Sequence, residues 1–323
     1  TAILCSMCKE KHYSRRQMKI YINSINEDWI IDRLIKEWNK FNFPQQKYIL
    51  GKKDLIWIIA PWTWKKIPRY FLKSNKVLCT IHHIDEDKFN HEQENEFKAR
   101  DKYVDHYHTI SNKTYHQLKQ ITKKPITEIP WWVNQNIWFD INDKQYIYDK
   151  FRLPEDKYLI GSFQRDTEGY DLKSPKLSKG PDRLIDNIME IKAIKNNVLV
   201  VLAGRRRQYV IEKLKNYNIE FKYFEMLNFS ELNELYNVLN LYVVSSRYEG
   251  GPQSIVECAA SRTPIVSTDV GIASQILSNE SIYSDNILDA KPNLDYAEKM
   301  ISNLKIPNGF LKFNKLLKEI NEN

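Results

Sequence analysis

Short, continuously apolar runs alternate with longer segments of helical periodicity along most of the 323-residue chain. The runs are 19–24 (KIYINS), 54–60 (DLIWIIA), 76–81 (KVLCTI), 107–110, 158–163 (YLIGSF), 197–203 (NVLVVLA), 219–224, 241–245 (LYVVS) and 264–268 (PIVST). A strand that is apolar on both sides must be covered on both faces, which is the pattern of a parallel sheet with helical crossovers. The intervening segments fit that role. Segment 27–41 places Trp29, Ile30, Leu34, Ile35 and Trp38 on one helical face behind an Asn26 cap. Further helices are predicted over 181–194, 208–217 and 230–239. The polar stretch 134–154 interrupts the alternation and divides the chain. The fold class that follows is α/β, with two Rossmann-like domains facing an interdomain cleft. Residues 18–145 form the first domain and 146–306 the second. Residues 1–17 are an N-terminal appendage. Residues 307–323 are a C-terminal helix able to cross back to the first domain, with Phe310, Leu311, Phe313, Leu316 and Leu317 as its apolar set.

Composition narrows the class. Hydrophobic residues are 42% and charged residues 28%, with 9 Gly and 12 Pro, which excludes collagen-like, low-complexity and wholly disordered chains. The net charge of +8 lies entirely in residues 1–150 (26 basic, 18 acidic), while 151–323 carries 23 of each. Only the first half should therefore attract anions by bulk charge. Four Cys make no disulfide framework in a chain this long. Cys5, Cys8 and His12 lack the fourth ligand of a zinc site, and Cys79 and Cys258 read as small core residues. No run of about 18 apolar residues exists to span a bilayer, and the basic start lacks a signal-peptide pattern, so cytoplasmic residence is the default. Segment 62–76 (WTWKKIPRYFLKSNK) holds five basic residues, four aromatic rings and no acid. It suits either a peripheral contact with the inner face of an anionic membrane or a sheet cover with a basic outer face. No nucleic-acid motif accompanies the modest positive excess, so no nucleic-acid partner is expected.

The chemistry concentrates in 245–271, SSRYEGGPQSIVECAASRTPIVSTDVG. It begins at the carboxyl end of a strand, where open α/β sheets bind ligands. Glu249 precedes Gly250, Gly251 and Pro252, and a helix follows. The glycines allow close backbone approach, and a helix starting at Pro252 turns free N–H groups toward an anion. Glu257 comes eight residues after Glu249. Two carboxylates so spaced can grip hydroxyls on either side of a phosphate, as a sugar nucleotide demands.

Here the chain resembles the retaining glycosyltransferases of family 4, which have the GT-B fold. EGGPQSIVE matches the family's E-x7-E motif, and Ala259–Val266 matches its A-x-A-x-G-x-P-V-V with Arg262 or Thr263 at the usual glycine. Val270-Gly271, the 230–241 helix and Val200–Gly204 match further pieces. The 129–139 stretch (IPWWVNQNIWF) matches an interdomain motif in which Trp131 and Trp132 replace Asn and Gly and Asn134 replaces Asp. Segment 23–26 lacks the family's first-domain glycine pair.

The resemblance implies roles for individual residues. Arg165 and Lys179, the latter before Gly180 and following Gly161 and a long loop, correspond to the Arg and Lys that hold the donor diphosphate. Such cations suit a leaving group that gains negative charge, and they imply no required metal. Glu257 would bind ribose and Glu249 the sugar hydroxyls. Gly204, Gly250, Gly251 and Pro252 complete the donor site. His82, in Thr80-Ile81-His82, corresponds to a first-domain His near the sugar, and His83 stands beside it. The Arg205–Arg207 run reads as phosphate-holding or as a solvated face. The implied activity is metal-independent, front-face transfer from a UDP- or GDP-sugar to a glycan or lipid-linked hydroxyl, with no cofactor. The competing class is a non-catalytic nucleotide-sugar-binding or scaffold protein of the same fold.

Overall fold

The structure, a computed structural model, describes residues 19–23, 30–42 and 55–322. The 1–17 appendage with Cys5, Cys8 and His12, the Asn26 cap and most of the 23–26 segment lie outside the described residues.

The first sheet contains β1 (Ile20–Ile22), β2 (Leu55–Ile58), β3 (Lys76–Ile81), β4 (His106–Thr109) and β5 (Ile126–Glu128), all parallel and in that spatial order. The helices are α1 (Ile30–Asn42), α2 (Arg69–Ser74), α3 (His91–Asp101) and α4 (Asn112–Ile121). The continuous apolarity of the strands is used by both faces, because successive side chains point opposite ways. Ile56, Ile58, Val77 and Cys79 pack with Leu72 of α2, Phe97 of α3 and Leu118 of α4. Leu55, Trp57 and Leu78 pack on the other face with Leu34, Ile35 and Trp38 of α1.

The second sheet contains β6 (Tyr158–Ser162), β7 (Val198–Ala203), β8 (Phe221–Phe224), β9 (Leu241–Val244), β10 (Ile265–Thr268) and β11 (Ile282–Tyr283), again all parallel. Its order is β11-β10-β9-β6-β7-β8. From β6 the chain adds two strands on one side, then three on the other. The reversal falls between β6 and β9, which opens a crevice at their carboxyl ends. Helices α5 (Gln145–Phe151), α6 (Pro181–Ile194), α7 (Gln208–Asn216), α8 (Phe229–Val238), α9 (Gln253–Ala260), α10 (Ala273–Ile276) and α11 (Leu294–Met300) belong to this half.

The chain crosses between the sheets twice, and the crossings are tied together: Val133 N–H donates to Leu304 O (2.9 Å) and Ile306 N–H to Val133 O (3.1 Å). The last helix, α12 (Leu311–Glu322), lies on the first sheet. Phe313 stacks on Trp57 and Trp131, with ring centroids 5.5 and 5.4 Å apart. The buried face of α12 is Phe313, Leu316, Leu317 and Ile320, a spacing of three, four and seven. Leu311, counted in the apolar set from sequence, stands off that stripe and is 63% exposed. Among the described residues no helix is long and apolar enough to cross a membrane.

Candidate active site

The crevice between β6 and β9 is lined by the loops that follow each strand, and hydrogen bonds stitch those loops together. Arg247 and Tyr248 N–H groups donate to Ser178 O (2.8 and 3.1 Å), Ser245 Oγ to Gly180 O (2.8 Å), and Gln164 Nε2 to Lys179 O (2.9 Å). Gly180 has φ +60° just before Pro181 opens α6, and a Cβ there would stand 1.9 Å from Ser245 O. Only glycine lets Lys179 sit this close to the end of β9.

Lys179 Nζ forms an ion pair with Glu249 Oε1, and Ser246 Oγ donates to the same oxygen (3.2 Å). Burial by itself would push the Glu249 carboxyl up; the Lys179 charge and hydrogen bond, with His83 and Ser246, reverse this and hold it below the usual carboxylate range. Arg165 Nε donates to Thr167 O (2.8 Å), and its guanidinium is lowered by burial and by Arg206. Lys176 is lowered by burial and by the charges of Lys179 and Arg165, with Glu249 and Glu168 opposing. The crevice thus gathers cations that repel one another, an arrangement relieved by an anion. Lys176 was not among the residues singled out from sequence. It stands one short turn before Lys179, and nothing local distinguishes it from other loop lysines.

Two glycines of the motif belong to the domain contact. A Cβ at Gly250 would stand 1.5 Å from His82 O, and one at Gly251 2.7 Å from Ile110 Cγ2. The Glu249–Pro252 turn is therefore pressed against the carboxyl ends of β3 and β4. Pro252 is buried and precedes α9. Gly161 is buried within β6, where Leu239 Cδ1 fills the space a Cβ would need (2.2 Å), so its glycine answers packing. Gly204 turns the chain after β7 at φ +91°.

Glu257 faces away from the cations. It is 5% exposed; Oε1 accepts from Arg33 Nη1 (2.6 Å) and Oε2 from the Tyr236 hydroxyl (3.0 Å). His82 Nε2 bonds the Ile59 carbonyl (2.8 Å), so Nε2 carries the proton and Nδ1 is left as an acceptor. Its ring lies beside Trp62 and Trp131, and burial pushes it down to about 4. His83 is exposed at the cleft, lowered by burial and by Lys179 and Lys176 and raised by Glu249. In the arginine run Arg205 is exposed, as a solvated face would be, whereas Arg207 fits neither reading: it is fully buried, pairs with Asp166 (3.1 Å) and donates to Ser162 Oγ (3.3 Å), bracing the loop that carries Arg165. Among the described residues there is no group of three or more His, Cys, Asp or Glu placed to hold a metal.

Residues 173–323 match the family model described as glycosyl transferases group 1, a little under half of the chain, including Lys176, Lys179, Glu249 and Glu257. The similarity to group 1 glycosyltransferases lies in this half of the chain. No curated protein matches the chain. Among solved structures, sucrose-phosphate synthase from Thermosynechococcus elongatus aligns over 90% of this chain and 77% of its own, with a TM-score of 0.67 and 16% identity. A glycosyltransferase from Rickettsia africae aligns over 93% and 84% (TM-score 0.61, 16% identity). Anabaena HepE in complex with UDP and glucose aligns over 94% and 97% (TM-score 0.61, 12% identity). At these identities the likeness is one of fold, and it covers the full two-sheet GT-B architecture.

Proposed function

We propose that the protein is a retaining glycosyltransferase of the family 4 type, moving a sugar from a UDP- or GDP-sugar to an acceptor hydroxyl. The observation that carries this reading is the direct contact of Lys179 with Glu249 at the β6–β9 crevice, with Arg165 and Lys176 alongside. In a nucleotide sugar the distal phosphate and the sugar ring are covalent neighbours, so a cation beside a carboxylate matches that junction. A nucleotide donor is further supported by HepE, which binds UDP and glucose in the same fold.

In this reading Arg165, Lys176 and Lys179 take the charge that develops on the diphosphate as the bond from C1 to the phosphate oxygen breaks. Glu249 holds sugar hydroxyls near C3 and C4, and Glu257 takes the ribose. The acceptor oxygen bonds C1 on the face the phosphate leaves, and its proton passes to the departing phosphate oxygen. No carboxylate nucleophile is required, which differs from retaining hydrolases. Fixed cations do the work a metal would otherwise do. His82, with Nδ1 free to accept, serves the sugar or acceptor from the first domain.

The acceptor is a glycan or a lipid-linked sugar reached from the first domain, at the cytoplasmic side of a membrane. Trp62, Lys65, Lys66, Arg69, Tyr70 and Lys73 are exposed along one face that begins at the cleft, where Trp62 lies 6.0 Å from the His82 ring. Exposed rings and cations together complement an anionic lipid surface.

Glu249→Ala and Lys179→Ala should each lower transfer by roughly 10²-fold or more, the usual loss for a placed transition-state contact. Transfer is read as sugar incorporated into acceptor extract with UDP- and GDP-sugars. Near-normal rates in both variants refute the assignment. Donor binding without transfer or donor hydrolysis points instead to a non-catalytic binder of the same fold.

A further inference from the structure

Arg33 and Glu257 lie 224 positions apart and come from opposite domains, yet they form a buried ion pair. Arg33 is on α1. One terminal nitrogen donates to Glu257 Oε1 (2.6 Å) and the other to Gln253 Oε1 (3.2 Å). Gln253 and Glu257 are four apart on α9, so they share one helix face and the planar guanidinium spans both. The guanidinium carbon sits 5.2 Å from the ring centroids of both Trp138 and Phe229, which limit its movement. A carboxylate this buried needs a hydrogen-bonded partner to offset its lost water, and Arg33 supplies it.

Two donors beside Glu257 are unused. Arg33 Nε and Gln253 Nε2 are buried and have no hydrogen-bond partner among the described residues, Arg33 Nε being 4.0 Å from Glu37. A carboxylate flanked by spare N–H donors suits a vicinal diol, because each hydroxyl can donate to the carboxylate and accept from an N–H.

We propose that Arg33 is a positioning residue for the nucleoside end of the donor: it aims Glu257 at the ribose diol and makes that recognition depend on the first domain standing against the second. The proposal rests on the ribose role given to Glu257 above. A nucleotide bound without its 2′-hydroxyl then forfeits the contact that Arg33 arranges.

Calorimetric titration of the full chain with UDP, GDP and their 2′-deoxy counterparts tests this. The unaltered protein should prefer the ribonucleotide by roughly tenfold, the usual worth of a hydrogen bond to a charged group. Arg33→Met should bring that ratio close to one while the protein still melts cooperatively. Arg33→Lys, which keeps the charge and should keep the fold, cannot reach both α9 partners and should lower the ratio several-fold. Glu257→Gln should lose the preference as Arg33→Met does. If Glu257→Gln loses the preference while either folded Arg33 variant keeps it in full, the role of Arg33 is overturned alone. If Glu257→Gln keeps it, or the unaltered protein binds none of the four nucleotides, the donor-site reading falls and the proposal with it.

Discussion

Burial decides what each ionisable side chain can do. Glu249 remains a carboxylate because Lys179 touches it, whereas His108 is forced to be neutral. Trp57 Nε1 donates to Thr80 Oγ1 (2.9 Å), Thr80 pairs with His108 Nδ1 (3.0 Å), and His108 Nε2 reaches the Ile129 carbonyl (2.8 Å). Burial pushes this ring down to about 3 against the opposing bond to Ile129. Below about 6.5 the unfolded chain takes up a proton here that the folded protein refuses until about pH 3. Stability should therefore fall with pH across that window, by up to about 1.4 kcal/mol per unit for this ring. Urea titrations from pH 7 to 4 measure the slope; His108→Gln should reduce it by about one proton, and an unchanged slope contradicts the account. Glu249 and Lys179, which the structure brings into contact, both stood out in the sequence, one through the Glu249–Glu257 spacing and the other through the Lys179-Gly180 pair. His108 looked like any histidine, and only its neighbours give it a role.

At the scale of elements, the strands were legible because an apolar run flanked by polar turns has few other uses. The 197–203 run became β7 (Val198–Ala203), and 181–194 became α6 with Pro181 at its first turn. The N-terminal pieces of α6 and α9 carry their own stop and start signals in proline and glycine. The partner of α12 was not encoded in this way. Its stripe states only that one face must be covered, and the cover is four rings from three separate segments: Trp38, Trp57, and Trp131 with Trp132. That also accounts for the two tryptophans standing where the interdomain motif has Asn and Gly: Trp131 and Trp132 fill the seam between α12 and the first sheet. Phe313→Ala should cost about 3–5 kcal/mol in chemical denaturation, whereas Leu311→Ala, at an exposed position, should stay within about 0.5 kcal/mol. Equal effects would contradict the observed face.

At the scale of the whole molecule, the charge of +8 resides with the first sheet's half of the chain, while residues 151–323 carry equal numbers of basic and acidic side chains. Under the proposed function a few placed cations suffice for a diphosphate, so that half needs no bulk charge. The basic half exposes Lys66, Arg69 and Lys73 with Trp62 and Tyr70 within one short segment, Lys65 being partly offset by Glu96. Sedimentation with anionic phospholipid vesicles should retain the protein at low salt and release it as salt rises. Replacing Lys66, Arg69 and Lys73 by Gln should weaken binding on the order of a hundredfold, at about 1 kcal/mol per cation. Salt-independent or absent binding removes the membrane reading and leaves the donor site untouched.

The sequence by itself determined the parallel α/β class, the order of the elements and the carboxylates and cations of the donor motif. These are short-range properties: backbone periodicity and the spacing of residues around one turn do not depend on what packs against them. Tertiary structure decided which of those groups meet. It set Lys176 beside Lys179 and Arg165, sank Arg207 as a brace for the loop that carries Arg165, and brought Arg33 across 224 positions to Glu257. Such pairings follow from how two sheets dock and which charges lose their water in the process, and no local pattern in the chain specifies that.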